Sequence, residues 1–355
     1  MFTIYSDKSI FENIVSTDNY PNWERIIKNH STVCLDISDT DLQAEMNDPN
    51  SILFHLLNAN AVQVKVVALD AYFREVYANR QTVIKTPRSA YFLNLPVADA
   101  ATLQEDTGVI INCNGKIDDD ILSKGVNLDW LAGEVIQNNW SEILNSFINY
   151  PSNSLIINDR NLFANEENSL NIGVDNVLRI LDNLLPHNLK ADYHVLIQSE
   201  QKADLRNKTK CDNLASTLSL GISRLRPYNF QIEIIFSFSG TNFYQNTHNR
   251  RIYSNYKYGK CEHSLASFKI RNANNTRNDD SFSLICSFNK VSSISDTIVN
   301  LTAQQNGLKR YKELAVDCID KLNKNGPNDR YYRYYLNGVE VAKGQSIIIH
   351  NRLLN

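Results

Sequence analysis

The sequence reads SLIIN at 154–158, DYHVLIQ at 192–198 and FQIEIIFSF at 230–238. Each run has the length and the content of β-branched and aromatic residues that are typical of a buried strand. Two segments between these runs, 174–185 and 208–225, carry apolar residues at the spacing of an amphipathic helix. This β-α-β-α-β order predicts three parallel strands whose connecting helices pack on the sheet.

The rest of the chain after position 150 predicts further strands and one long helix. We expect strands at 249–254, 264–270 and 281–288, and a helix at 306–322. The dipeptide Asn337-Gly338 suits a tight turn with two residues at positive φ, and it predicts a hairpin within 331–349.

The first 150 residues also alternate between strand and helix patterns. We expect strands at 32–36, 61–68, 90–94 and 108–112, and helices at 50–58, 70–79, 97–106 and 129–148. A proline-centred loop at 149–154 is the best boundary. The sequence therefore predicts an α/β protein with two domains, 1–150 and 151–355, each a mostly parallel sheet flanked by helices.

Composition narrows the class of protein. Of the 355 residues, 43% are hydrophobic, which argues against bulk disorder. No apolar run approaches the ~18 residues of a membrane span, and the N-terminus lacks the pattern of a signal peptide. The six cysteines include no closely spaced pair, so reduced thiols are expected rather than a structural zinc site. We expect a soluble, cytoplasmic protein that does not contact membranes.

Charge is divided unequally along the chain. Residues 1–150 hold 10 Lys and Arg against 20 Asp and Glu, whereas residues 151–355 hold 26 against 19. The net charges are therefore −10 and +7. Such asymmetry indicates either a half that faces a polyanion or two halves that attract each other.

One motif follows the third strand of the 154–238 unit. It consists of His248, Arg250 and Asn255, followed by Gly259 and Ser264. This pattern resembles the HxKxxxxD signature of the phospholipase D superfamily, which also follows a β-α-β-α-β unit. The resemblance implies a phospholipase D-like C-terminal half in which the histidine attacks phosphorus and the cation holds phosphate oxygens.

Two substitutions within this motif change what it implies. Arg250 replaces the family's lysine and keeps a cation that can fork onto phosphate oxygens. Asn255 replaces the family's aspartate and cannot carry a negative charge. A single motif is present, while phosphodiesterases of this family need two, from one chain or from a dimer. The resemblance therefore implies a non-catalytic module, and by analogy a prokaryotic defence or conflict system as its setting.

Basic and aromatic residues alternate through the same stretch. The candidate phosphate-binding residues are Arg250, Arg251, Asn255, Lys257 and Gly259, interleaved with tyrosines. Stacking rings beside cations suit single-stranded nucleic acid, so we expect nucleic acid or another phosphate-bearing ligand as the partner. The alternative is a hairpin with cross-strand tyrosine pairs and solvated arginines.

Acidic residues in the first half suggest a second kind of site. A strand ends in Asp36, and Asp39 follows shortly after it. This arrangement loosely resembles PIN-like nucleases, in which several carboxylates hold Mg²⁺. Under that alternative Mg²⁺ is the cofactor, and otherwise we expect none.

Three functions remain open on this sequence. The first is a phosphate or nucleic-acid binding or sensing module. The second is a phosphodiesterase or nuclease, using His248 in a dimer or a metal near Asp36. The third is an interaction scaffold with a protein partner. The sequence contains no P-loop, dinucleotide-binding or zincin motif, which disfavours the chemistry of those classes.

Overall fold

The computed structural model describes residues 2–59, 65–121, 128–130, 140–144, 150–163, 171–201, 207–238, 250–261, 264–266, 268, 282–286, 302–303, 305–313, 315–317, 320, 332–341 and 347–355. Among the helices within these ranges, none combines the length and the apolar composition needed to cross a bilayer.

A parallel sheet forms the centre of the first half. Its strands are β1 (Phe2–Asp7), β2 (Ser31–Asp36), β3 (Lys65–Ala68), β4 (Ser89–Leu93) and β5 (Ile110–Cys113). They lie in the order β3-β2-β1-β4-β5, and each described pairing is parallel. The predicted parallel α/β architecture is therefore confirmed for this half, although its central strand β1 is absent from the sequence prediction.

Helices cover both faces of this first sheet. They are α1 (Lys8–Ser16), α2 (Pro21–His30), α3 (Asp39–Asn47), α4 (Ile52–Asn58), α5 (Asp70–Ala78), α6 (Arg80–Ile84) and α7 (Val97–Thr107). Apolar residues of α1, α2 and α4 pack on one face, and those of α5, α6 and α7 pack on the other. Side-chain caps fix several helix starts, as where the Asp7 carboxylate accepts the Ser9 N–H at 3.0 Å.

A second, larger sheet follows. Its strands are β6 (Leu128–Trp130), β7 (Ser154–Asn158), β8 (Tyr193–Gln201), β9 (Phe230–Phe238), β10 (Arg250–Ser254), β11 (Lys257–Cys261), β12 (Phe282–Cys286), β13 (Tyr332–Leu336) and β14 (Val339–Glu340). Among the described residues their order is β14-β13-β9-β8-β7-β10-β11-β12-β6.

The second sheet is mixed. β7, β8 and β9 run parallel, as predicted, while the other described pairings are antiparallel. The prediction of a mostly parallel sheet is wrong for this half. The cause is local, because β10 and β11 are joined by only Asn255 and Tyr256, and so short a connection permits only an antiparallel pair.

Two layers enclose the second sheet. α8 (Trp140–Leu144), α9 (Ile172–Leu184) and α10 (Lys208–Ser223) pack on one side, which we call the α9/α10 face. Residues 305–313 and 315–317 are helical, and we call them the C-terminal helical segment. Together with residues 347–355 this segment covers the opposite side, the C-terminal face. Gly307 leaves no room for a Cβ beside Tyr253, so the segment lies close against β10.

Several predictions of individual elements are corrected or confirmed. The helix predicted at 129–148 is wrong at its start, since Leu128–Trp130 pairs with β12 as a strand. The strand predicted at 264–270 is wrong for its described residues, which are irregular. The hairpin is confirmed, with φ of 49° at Asn337 and 83° at Gly338 in the turn.

Buried contacts link the two sheets next to the predicted boundary. The Lys190 and Ala191 N–H groups both donate to the Asp106 carbonyl, at 3.1 and 3.0 Å. The backbone carbonyl of Ser152 lies where a Cβ on Gly108 would stand. β6 and α8, which precede Pro151, pack with the second sheet. Division into domains at 150 and 151 stays a prediction.

Candidate phosphate site

The start of β10 lies beside the end of β7. These strands are antiparallel, and Arg251 is in register with Asn158, which is in register with Gln198 on β8. The arginines therefore lie at the carboxyl ends of the parallel strands β7, β8 and β9, which we call the carboxyl edge. Ligands of α/β proteins bind at this kind of edge.

Arg250 and Arg251 project to opposite faces of the second sheet. The next two residues show the alternation, because Ile252 is buried in the core of the α9/α10 face and Tyr253 in that of the C-terminal face. Arg250 therefore lies on the α9/α10 face and Arg251 on the C-terminal face. The two cations flank the carboxyl edge and do not share one surface.

Arg250 lies near a fully buried carboxylate, that of Asp159. This carboxylate accepts hydrogen bonds from the Asn161 N–H at 2.8 Å, the Ser264 hydroxyl at 2.8 Å and the Leu265 N–H at 2.6 Å. Burial raises the pKa of Asp159, while the hydrogen bonds and the charge of Arg250 act in the opposite direction. The negative charge of Asp159 attracts Arg250 to the edge and offsets part of the positive charge of the guanidinium group.

Arg251 lies beside a second cation. Its register partner on β11 is Lys260, whose side chain is exposed. Like charges directly across a pair of strands are destabilising, and an anion between them relieves that repulsion. Tyr253 lies near Arg251; burial raises the pKa of Tyr253, and the charge of the arginine opposes that rise. This side of the edge is therefore cationic and bordered by an aromatic ring.

Asn255 lies at the other end of β10, about 17 Å along the strand from Arg250. Its side chain is buried and accepts the N–H groups of Asn153 and Ser154 at 3.1 and 3.2 Å. Its amide donates to the Pro87 carbonyl at 2.6 Å and to the Asn153 side chain at 3.1 Å. These four bonds use the whole hydrogen-bonding capacity of the carboxamide and join the two sheets.

Lys257 and Gly259 occupy β11. Lys257 is buried, and its ammonium group lies 3.4 Å from the centroid of the Tyr150 ring, a cation–π contact. Gly259 lies within the strand, in register with Ile252 and Leu284, so the chain does not turn there. Of the predicted phosphate-binding residues, the structure brings Arg250 and Arg251 to one edge and places Asn255 and Lys257 at the opposite end of the hairpin.

His248 lies outside the described residues. Its position relative to Arg250, on which the catalytic alternative depends, therefore stays a prediction. Three further polar residues lie at the carboxyl edge and are absent from the predicted site residues: Asn158, Asp159 and Gln198. The signal was present in the polar run Asn158-Asp159-Arg160, which directly follows an apolar strand.

The acidic pair proposed for a metal lies where the parallel strands of the first sheet have their carboxyl ends. Asp36 ends β2 in register with Asp7, and its pKa is raised by burial and by the charges of Asp7 and Asp70. Asp39 lies in the exposed first turn of α3. Within the described ranges no three acidic, histidine or cysteine side chains are placed to hold a metal ion. A Mg²⁺ site at Asp36 and Asp39 therefore stays a prediction.

A surface groove of about 870 Å³ lies elsewhere, beside α10 and the β13–β14 turn. Its lining includes Ser219, Tyr228 and Asn337. Asp192 and Phe230 place it at the amino ends of β8 and β9, opposite to the two arginines. The groove and the carboxyl edge are thus different sites.

No protein-family model matches the chain, and no curated protein matches it significantly.

Proposed function

We propose that this protein binds a phosphate-bearing ligand, a nucleic acid, at the carboxyl edge of β7, β8 and β9, and that it does so without catalysing a reaction. The observation that carries the proposal is the placement of Arg250 and Arg251 on either side of that edge, with Lys260 in register beside Arg251. Guanidinium groups hold phosphate oxygens through paired, charge-assisted hydrogen bonds.

The state of Asn255 supports binding without catalysis. The phospholipase D signature has an aspartate at this position, and the asparagine here uses its carboxamide in four hydrogen bonds to buried groups. A group held in this way has no capacity left for a reacting phosphate. A phospholipase D-like fold and a role in a prokaryotic defence system remain proposals that rest on the sequence resemblance.

Equilibrium binding tests the proposal directly. Fluorescence anisotropy with labelled single-stranded DNA and RNA at low salt is expected to give saturable binding that weakens steeply as salt increases, because counterions are released. Arg250→Ala and Arg251→Ala should each weaken binding by about 1–3 kcal/mol, the value of a charge-assisted hydrogen bond. The matched control is Arg74→Ala, which removes an exposed arginine from the first sheet's helix α5.

The outcomes separate the candidate functions. Equal binding by the arginine variants and the wild type would overturn the proposed site. Cleavage of the strand that disappears in His248→Ala, while binding survives, would favour the catalytic alternative, as expected for a covalent nucleophile. No binding to any nucleic acid at low salt would favour the interaction scaffold.

A further inference from the structure

Among the residues that the structure describes, two buried carboxamides at the carboxyl edge carry polar atoms without a hydrogen-bond partner. These atoms are Oδ1 of Asn158 and both Oε1 and Nε2 of Gln198, and the two side chains are 6% and 0% exposed. A buried polar group without a partner destabilises the fold, because it has given up its hydrogen bonds to water and has gained none in the protein. Native proteins contain few such groups, and each one calls for a physical explanation such as a ligand or an ordered water.

Asn158 and Gln198 belong to one row on the C-terminal face. They are register partners on β7 and β8, and the row continues to Arg251 on β10. The residues two positions earlier on β7 and β8, Ile156 and Leu196, are both buried in the core of that face. Neighbouring strands lie ~4.8 Å apart, and Gln198 and Arg251 lie two strands apart, so their backbones are separated by about 10 Å.

We infer that Asn158 and Gln198 recognise a nucleobase of the ligand whose phosphate is held by Arg251. This inference rests on the proposed function and specifies its ligand. A carboxamide presents one donor and one acceptor side by side, and the edge of a nucleobase presents the complementary pair. The oxygens of a bare phosphate only accept hydrogen bonds, so they could pair with Nε2 of Gln198 but would leave Oδ1 of Asn158 and Oε1 of Gln198 without a donor.

The decisive experiment compares two strands with equal numbers of phosphates. Binding of a single-stranded DNA oligonucleotide is measured beside that of the abasic strand of the same length, with nucleoside monophosphates as competitors. The wild-type protein should prefer the base-bearing strand. Gln198→Met keeps the volume but removes the hydrogen-bonding groups, and it should weaken binding of that strand by about tenfold, the size of one lost contact to a base edge. Its binding of the abasic strand should not change.

Two controls keep the result interpretable. Asn158→Leu removes the second carboxamide, and should reduce the preference independently if Gln198→Met does not fold. Thermal melting of Gln198→Met should show equal or higher stability, since this variant loses a buried carboxamide whose oxygen and nitrogen both have no partner. If the nucleoside monophosphates compete with the oligonucleotide, a free nucleotide is sufficient for binding at this site. If they do not compete, the site requires a strand.

Failure of this inference differs from failure of the proposed function. If the wild type binds both strands equally, or if Gln198→Met keeps the full preference, the carboxamides hold only water and the inference is overturned while phosphate binding stands. If neither strand binds at low salt, the proposed function is lost together with the inference.

Discussion

The Tyr256 hydroxyl joins the two sheets through Ile110. It accepts the Ile110 N–H at 3.0 Å and donates to the Ser89 carbonyl at 2.7 Å, and the whole side chain is buried. Tyr256 lies in the two-residue connection between β10 and β11, whereas Ile110 and Ser89 belong to the first sheet. One hydroxyl therefore satisfies two backbone groups across the junction.

Tyr256→Phe should lower the free energy of unfolding by about 1–3 kcal/mol, because it leaves a buried N–H and a buried carbonyl without partners. Urea denaturation followed by circular dichroism measures the change. The matched control is Tyr77→Phe, whose ring is partly exposed and whose hydroxyl accepts one N–H at 3.4 Å. A loss no greater than that of the control would contradict the bridging role.

Asn255→Asp introduces an acid where the phospholipase D signature has one, and it should destabilise the fold without creating activity. The carboxylate would face the Pro87 carbonyl and the Asn153 side-chain oxygen, both of which now accept from the Asn255 amide. A buried charge without a donor on that side is costly. Because protonation removes the charge, stability should recover as pH falls. A stable, hydrolytic variant would show that this residue belongs to a catalytic site.

Glu233 should give the protein a pH-dependent stability. Burial raises the pKa of this carboxyl from 4.5 to about 7, against hydrogen bonds from the His350 N–H and the Tyr334 hydroxyl. Between these two pH values the folded state keeps a proton that the unfolded state has released. Stability therefore falls as pH rises through that window, and the loss is complete above about pH 7.

The substitution that tests this is Glu233→Gln. It keeps an acceptor for the Tyr334 hydroxyl and removes the titration. Its stability relative to the wild type should increase from about pH 5 to about pH 8. Denaturant curves at several pH values measure the difference, and a constant difference would show that Glu233 does not titrate in this range.

His30 should act with the opposite sign. It is buried at the end of α2, and burial, with the charge of Arg25, lowers its pKa from 6.5 to about 4. Between these values the unfolded state binds a proton that the folded state does not. Stability is therefore present above pH 6.5 and is lost as pH falls towards about 4. His30→Leu should reduce this acid sensitivity, whereas His187→Gln, at an exposed position, should not.

Patterning in the sequence predicts the parallel strands well. β7, β8 and β9 are short apolar runs separated by amphipathic helices, and this pattern depends on local periodicity alone. β1 shows the limit of such reasoning. Its six residues, FTIYSD, mix polar and apolar side chains, and their burial depends on β2 and β4 on either side. The predicted helix at 129–148 begins with Asp129 and Trp130, yet pairing with the distant β12 holds these two residues as a strand.

The candidate site could be predicted only in part, because it too depends on pairing between strands that are distant in the sequence. Arg250 and Arg251 stand out as consecutive cations, but their place at the carboxyl edge is set by the register between β10 and β7, strands about ninety residues apart. Spacing within one segment carries no information about that register. The same spacing suggested Asn255 as a ligand-binding residue, and the structure places it in the junction between sheets.

Asp159→Asn should increase the affinity for a phosphate-bearing strand. The buried Asp159 carboxylate offsets part of the charge of Arg250, so its neutralisation should raise affinity at low salt by about threefold or more, with a smaller gain at high salt. The asparagine oxygen can still accept from the Leu265 N–H, although some stability is lost with the charge-assisted bonds. Asp182→Asn, which neutralises an exposed acid paired with Arg226, is the matched control and should change affinity less. Anisotropy titrations of the three proteins against one labelled strand measure the effect. An unchanged or lower affinity for Asp159→Asn would mean that Arg250 serves the buried carboxylate and does not contact phosphate.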